Sequence, residues 1–253
     1  MTSRIKKVKE QSKKKLTAAD RRHAIIEAAV PLFAQEGFKG VTTKELAATA
    51  GVSEALLYRH FPSKEALYEE VQDHCCQTNS ELKELFAALT PSTETLVSLL
   101  FFQAKVVVEK INLDSGREEM FPRLMVQSLL HDGVFSRLFV ERAAMRYAAM
   151  MEASLVAARS SGDIVITGMP DDLSFWFCHH MFVSMRLHRL PSTQVVPYSV
   201  SNDELIEQFL RFMLRAIGMT DSAILRYCEF KDLNHKASHW VASTNQGMSN
   251  GKQ

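Results

Sequence analysis

The chain has 253 residues, 46% apolar and 23% charged, which excludes a disordered or fibrous protein and allows one large or two small domains. Ten glycines, seven prolines and many helix-favouring residues point to an all-α fold. The net charge of +1 is unevenly spread: residues 1–60 carry 12 Lys and Arg against 6 Asp and Glu, which leaves −5 on the other 193, the footprint of a nucleic-acid module joined to another body.

Residues 1–16 include Arg4, Lys6, Lys7, Lys9 and Lys13–Lys15. They read as a basic, disordered arm that can order on DNA through phosphate or minor-groove contacts. They lack the apolar core of a signal peptide. The longest apolar run, Leu96 to Val108, is too short and too interrupted (Ser98, Gln103, Lys105) to span a bilayer. Four cysteines do not make a disulfide framework in a chain this long, so a cytoplasmic protein with reduced thiols and no membrane partner is expected.

Thr17 caps the first helix, with Asp20 three residues on. Ile25, Ala28, Ala29, Leu32 and Phe33 share a face. Pro31 predicts a bend near Glu27–Pro31, and Gly37 ends the helix. Phe38 and Val41 are expected in the core beneath the next two helices. Thr42 and Glu45 form a second capping box, with Leu46, Ala47 and Ala50 as a short apolar face. Gly51 supplies a tight turn, Ser53 caps a helix through His60, and Pro62 stops it. Two short helices across a Gly-containing turn (42–61) make a helix-turn-helix, unless they are an ordinary corner between helices.

The wording favours the first. GVSEALLYRHFPSKEAL (Gly51–Leu67), preceded by IIEAAVPLFAQEGFKGVTTKELAATA (Ile25–Ala50), resembles the DNA-binding domain of TetR-family transcriptional regulators. The resemblance is specific over about Ala24 to Leu67 and architectural beyond. It implies an N-terminal three-helix helix-turn-helix domain on a larger C-terminal helical domain for ligand binding and dimerisation. The expected boundaries are 17–65 for the first, 66–218 for the second, and 219–253 for a mostly flexible tail.

Beyond Ser63, which caps a third helix, Leu67, Val71, Leu82, Leu85, Phe86 and Leu89 predict one long helix stopped at Thr90-Pro91. Ser92 to Ile111 is apolar nearly all round and predicts a helix buried in a bundle. Helices are further expected over Glu118–His131, Val134–Ser160 and Asp171–Arg189. Ser201 and Glu204 box the start of Asn202–Ile217, whose wide apolar stripe predicts packing on a partner as well. Phe182, Met185, Leu205, Phe209, Phe212 and Met213 are the candidate homodimer residues.

Base readout requires the exposed face of the second helix of the motif near its N-terminus. The candidates are Ser53, Glu54, Ala55, Leu57, Tyr58, Arg59 and His60, with Leu56 facing the core. Thr42, Thr43, Tyr58, His60 and Lys64 are candidates for phosphate contacts. The resemblance implies phosphate roles for Tyr58 and Lys64, and a base or phosphate role for Lys44. Arg59 fits guanine and Glu54 fits cytosine N4, but the face lacks Asn and Gln, so direct readout is modest.

Polar and aromatic residues within the apolar helices form the candidate effector pocket: Phe102, Gln103, Gln127, Arg146, Tyr147, Met150, Trp176 and His180. Core packing is their ordinary alternative role. His179, His180 and His188 lack a ligating i, i+4 spacing, so no metal is expected there, and no cofactor elsewhere. Cys75-Cys76 reads as ordinary thiols. No phosphate loop, nucleophile elbow or metalloprotease motif appears, so no enzyme is expected. The sequence therefore predicts a dimeric repressor of a palindromic double-stranded DNA operator, released by a small hydrophobic effector that swings the helix after Ser63. The alternative is a ligand-independent DNA-organising or protein-binding member of the same fold.

Overall fold

The computed structural model describes residues 17–76, 80–111, 120–131 and 133–250. The basic arm, residues 1–16, lies outside them. Among the described residues the protein is all helical, apart from an isolated antiparallel bridge between Ile164 and Met219. The chain divides into two compact units, Met1–His74 and Cys75–Gln253.

The first unit holds α1 (Ala18–Gly40), α2 (Thr43–Thr49), α3 (Glu54–His60) and most of α4 (Lys64–Cys76). Thr17 and Thr42 form complete capping boxes with Asp20 and Glu45. Ser53 and Ser63 accept from the amides of Leu56 and Ala66. Each cap satisfies an amide that the first helical turn leaves without an internal acceptor. Pro31 sits inside α1, yet the departure from helical backbone is at Gly37, with φ 70°. The departure falls where the sequence ends the helix, at Gly37: a proline loses one helix bond but keeps an α-compatible φ, whereas φ > 0 leaves the helix outright.

Ile25, Ala29, Val30 and Phe33 of α1 form the centre of this unit with Leu46, Leu57, Phe61, Leu67 and Val71, all at most 2% exposed. Each fully buried Leu, Ile or Phe stabilises the unit by roughly 1.5–3 kcal/mol. Phe38 and Tyr68 close the cluster against Phe33, with ring centroids 4.9–6.3 Å apart. Because Leu67 and Val71 are buried here, the unit extends to His74, not to the expected boundary at 65.

The second unit contains α5 (Ser80–Ala87), α6 (Thr93–Val108), α7 (Met120–Leu130), α8 (Val134–Phe139), α9 (Met145–Ser160), α10 (Asp171–His188), α11 (Asn202–Ala216), α12 (Asp221–Tyr227) and α13 (Phe230–Asn250). Residues 77–79, between α4 and α5, lie outside the described set, so the long helix expected over 64–89 is described in two pieces. α8 and α9 are joined by one π-helical turn, Val140–Ala144. α6 is the axis, with 13 of its 16 residues buried, and it packs against α9, α10, α11 and α13. Lys105 pairs with Glu109 at 2.6 Å, and the Tyr147 hydroxyl donates to the Leu99 carbonyl at 3.0 Å. Burial, in the first place, pushes the Tyr147 hydroxyl well above the ordinary phenol range.

The expectation of a mostly flexible tail after residue 218 is corrected. Leu233, Ala237 and Trp240 are buried, and Trp240 lies edge-on to Phe102 at 5.4 Å and to Phe86 at 6.2 Å. Their spacing is helical, but the polar residues between them mask the stripe. Gly218 lets the chain turn into this segment with φ 87°, where a Cβ would meet Thr167 Cγ2 at 2.6 Å.

A buried carboxylate fastens α6 to the loop after α9. Asp163 accepts from the hydroxyls of Thr93 at 2.7 Å and Ser161 at 2.8 Å, and its Oδ1 meets Arg226 at 3.1 Å. Burial alone would raise this carboxyl. The Thr93 and Ser161 hydrogen bonds, with the Arg226 charge and Tyr227, hold it below the usual range instead.

Candidate nucleic-acid interface

The turn between α2 and α3 is a Schellman motif. The Val52 amide donates to the Ala47 carbonyl at 2.9 Å and the Gly51 amide to Ala48 at 3.1 Å. Gly51 has φ 64°, which a Cβ would disfavour. This closure fixes α3 against α2. Thr43 adds a side-chain latch by donating to Glu54 Oε2 at 3.2 Å. Thr42 is tied into its capping box, and its hydroxyl, then its amide, hold the Glu45 carboxyl below the ordinary range.

On α3, Ser53, Glu54, Ala55, Tyr58 and Arg59 are exposed, as are Thr42 and Lys44 at the start of α2. Thr42, Lys44, Ser53 and Glu54 stand at the N-terminal ends of the two helices, where the helix dipole favours phosphate, and Tyr58 and Arg59 lie further along α3. Thr43, His60 and Lys64 are half-buried. Lys64 donates from Nζ to the Val41 carbonyl at 2.5 Å and lies 4.4 Å over the Phe38 ring, so its ammonium fastens α4 to the end of α1.

Leu57 does not belong to the readout face. It is 2% exposed, while Leu56 is half-buried. Leu57 and Phe61 are four residues apart, hence on one side of the helix, and Phe61 is anchored in the core beneath Arg22. The phase of a two-turn helix is set by such non-local anchors. The expectation that Leu56 rather than Leu57 faces the core had it one residue off.

The expected effector residues are partly brought together. Phe102, Tyr147 and Trp176 belong to or pack on one core, where Phe86, Phe102, Tyr147, Phe175 and Trp240 meet ring to ring at 5.4–6.2 Å. Met150 packs against that core. Gln127 is half-buried on α7. Arg146 is exposed on α9 and does not join; His180 is exposed on α10 and reaches the group only at its rim, stacking on Trp176 at 6.2 Å. Two open grooves lie elsewhere. One, of about 750 Å³, is lined by Met185, Leu205, Phe209, Phe212 and neighbours. The other, of about 470 Å³, is lined by the 164–171 loop, Leu155 and Arg159.

Of the expected dimer residues, Phe182, Leu205, Phe209 and Met213 are at most 9% exposed and serve the core of their own chain. Phe212 is 60% exposed and Met185 half-buried. Burial pushes the Cys178 and Cys228 thiols up to about 11, and Cys75 is also buried, which leaves these thiols unreactive. Among the described residues, one group of metal-ligating type gathers: His23, Glu27 and His74. No helix among them is long and apolar enough to cross a membrane.

Comparison with known proteins places this geometry. Residues 25–71 match the family described as bacterial regulatory proteins, tetR family. The nucleoid occlusion factors SlmA of Pectobacterium carotovorum and Yersinia enterocolitica are each 44% identical over 61 residues, 24% of this chain and 31% of theirs. The chain thus spans about a third of the length of these curated relatives. Among solved structures, the ketosteroid transcriptional regulator KstR2 of Mycobacterium tuberculosis superposes with a TM-score of 0.55 at 20% identity, covering 81% of this chain and 98% of that one. AibR, in complex with isovaleryl coenzyme A and operator DNA, superposes with a TM-score of 0.55 at 15% identity, covering 76% and 97%. At these identities the likeness is one of fold: a small helix-turn-helix domain followed by a larger helical one. Residues 25–71 thus carry the domain of the tetR family of bacterial regulatory proteins, within a chain whose fold is that of the regulators it superposes on.

Proposed function

We propose that the protein is a homodimeric DNA-binding transcriptional regulator, a repressor that leaves a palindromic operator when a small hydrophobic effector is bound. The observation that carries this reading is the exposed edge of Thr42, Lys44, Ser53, Tyr58 and Arg59 on two helices locked by the Gly51 turn. Thr43, His60 and Lys64 flank it. The exposed Phe212 beside the α10–α11 groove supports pairing with a second copy, which would supply the second recognition helix. The effector part is supported by the aromatic and methionine-rich interior of the second unit, and by the acyl-coenzyme A bound in the structure of AibR.

A second reading has its own support. Around Tyr147 the rings pack on one another, and a stretch of 61 residues is 44% identical to nucleoid occlusion factors. In that reading the protein organises DNA or binds a protein partner, with no effector. Selecting bound sites from a random DNA pool with the full chain tests both. The first reading expects one palindrome with half-sites about 34–36 Å apart, or a little more, released by some member of an acyl and steroid ligand panel. Enrichment of no sequence at all would sink it. A selected site whose occupancy no ligand changes would favour the second.

A further inference from the structure

α1 and α4 meet through a polar ladder. Arg22 clamps Glu70 bidentately, with both contacts at 2.8 Å. One turn further along each helix stand Glu27 and His74, with Glu27 Oε1 2.7 Å from His74 Nε2. His23, four residues before Glu27, brings its Nε2 to 3.4 Å from the same oxygen. Its ring meets that of His74 edge-on, with centroids 5.2 Å apart. Two imidazoles from two helices therefore converge on one carboxylate oxygen, and the three ligand atoms lie within 4.8 Å of one another.

The geometry points to a divalent transition-metal site formed by His23, Glu27 and His74, with zinc the best-fitting ion. Zinc holds imidazole nitrogen and carboxylate oxygen at about 2.0–2.2 Å, which in a tetrahedron sets ligand atoms roughly 3.3–3.5 Å apart. The spacings here, from 2.7 Å to at most 4.8 Å, bracket that value, so side-chain rotation alone suffices. Two imidazoles and one carboxylate suit Zn²⁺ or Co²⁺; calcium and magnesium favour all-oxygen sets. His74 is 13% exposed and fixes the inner wall. His23 is 62% exposed, so the ion enters from solvent and its fourth position is left to water. The Arg22–Glu70 clamp pre-sets the register of the two helices, so little order need be gained on binding. An occupied site ties α1 to α4 within the unit that carries the DNA-facing edge.

The alternative is that the three side chains make only an ion pair and a ring contact. Titrating the metal-free full chain with Co²⁺ and with Zn²⁺ separates the two. The expected result is one equivalent lost in both His23→Gln and His74→Gln, with affinity down by more than about 100-fold, beyond the cost of an outer-shell change. The cobalt spectrum should show ligand-field bands and no thiolate charge-transfer band. His23→Gln alters an exposed side chain and keeps the variant folded, as circular dichroism would check. Wild-type affinity in both variants, a thiolate band, or no bound metal at micromolar concentrations would each overturn the site.

Discussion

Lys64→Ala removes two things at once. Its Nζ donates to the buried end of α1 at Val41 and lies over Phe38. A hydrogen bond from a charged donor contributes roughly 1.5–3 kcal/mol, and a partly exposed cation–π contact about 0.5–1 kcal/mol. Lys64 is half-buried, so the low ends apply and the expected loss is about 2 kcal/mol, read by urea denaturation. If the ammonium also meets a phosphate in the complex, the variant has a second signature. The slope of log affinity against log salt falls by about 0.9 per protomer, which shrinks the wild-type to variant ratio about 3.5-fold per protomer between 50 and 200 mM salt. Lys64→Arg should keep most of the slope. A stability loss of this size with an unchanged slope would refute the phosphate contact and leave Lys64 as a fastener. An unchanged stability would refute the fastener.

Leu57→Ala should cost about 2–4 kcal/mol as a buried cavity, whereas Arg59→Ala should shift stability by under about 0.5 kcal/mol yet weaken DNA binding; the reverse pattern would restore Leu57 to the readout face. Asp163→Ala should cost about 3 kcal/mol, from two charge-assisted hydrogen bonds at roughly 1.5 kcal/mol each, while Arg226→Ala, largely exposed, should cost under about 1 kcal/mol in the same denaturation series. Burial, and then His180, hold the His179 imidazole below its ordinary 6.5. The unfolded chain therefore binds that proton more readily, so stability is full above 6.5 and falls as pH drops from there through the folded value. His179→Gln should flatten this fall in a pH series of melting curves.

The helix starts were legible because a cap is local. Thr17, Thr42, Ser53, Ser92 and Ser201 each accept from an amide three residues on, and all were readable from residue type and spacing. The all-round apolar run of α6 likewise gave its burial. What escaped was non-local. The core phase of α3 depends on Phe61 and α1, not on its own seven residues. The C-terminal helix carries only Leu233, Ala237 and Trp240 as a buried stripe, too thin to stand out until Phe86 and Phe102 are seen waiting for it. The metal-type cluster was half legible: His23 and Glu27 show the i, i+4 spacing, but His74 lies 47 residues away from Glu27.

The exposed edge of α2 and α3 also bears on the stability of its own unit. Several polar side chains at this edge hold the unit together as well as facing outward. Thr42 caps α2, Thr43 latches Glu54, and Lys64 binds Val41. A unit that ends at His74 has a small core and leans on such contacts for its geometry. Loss of DNA binding in a variant at these positions therefore does not by itself assign a contact, because a loosened α2–α3 turn would abolish binding just as well. A phosphate contact changes the salt dependence, and a base contact changes the preference among sequences. A loosened scaffold lowers stability and weakens every sequence alike at every salt concentration. Tyr58 and Arg59, exposed and outside these fastening contacts, are the positions where lost affinity translates directly into a contact.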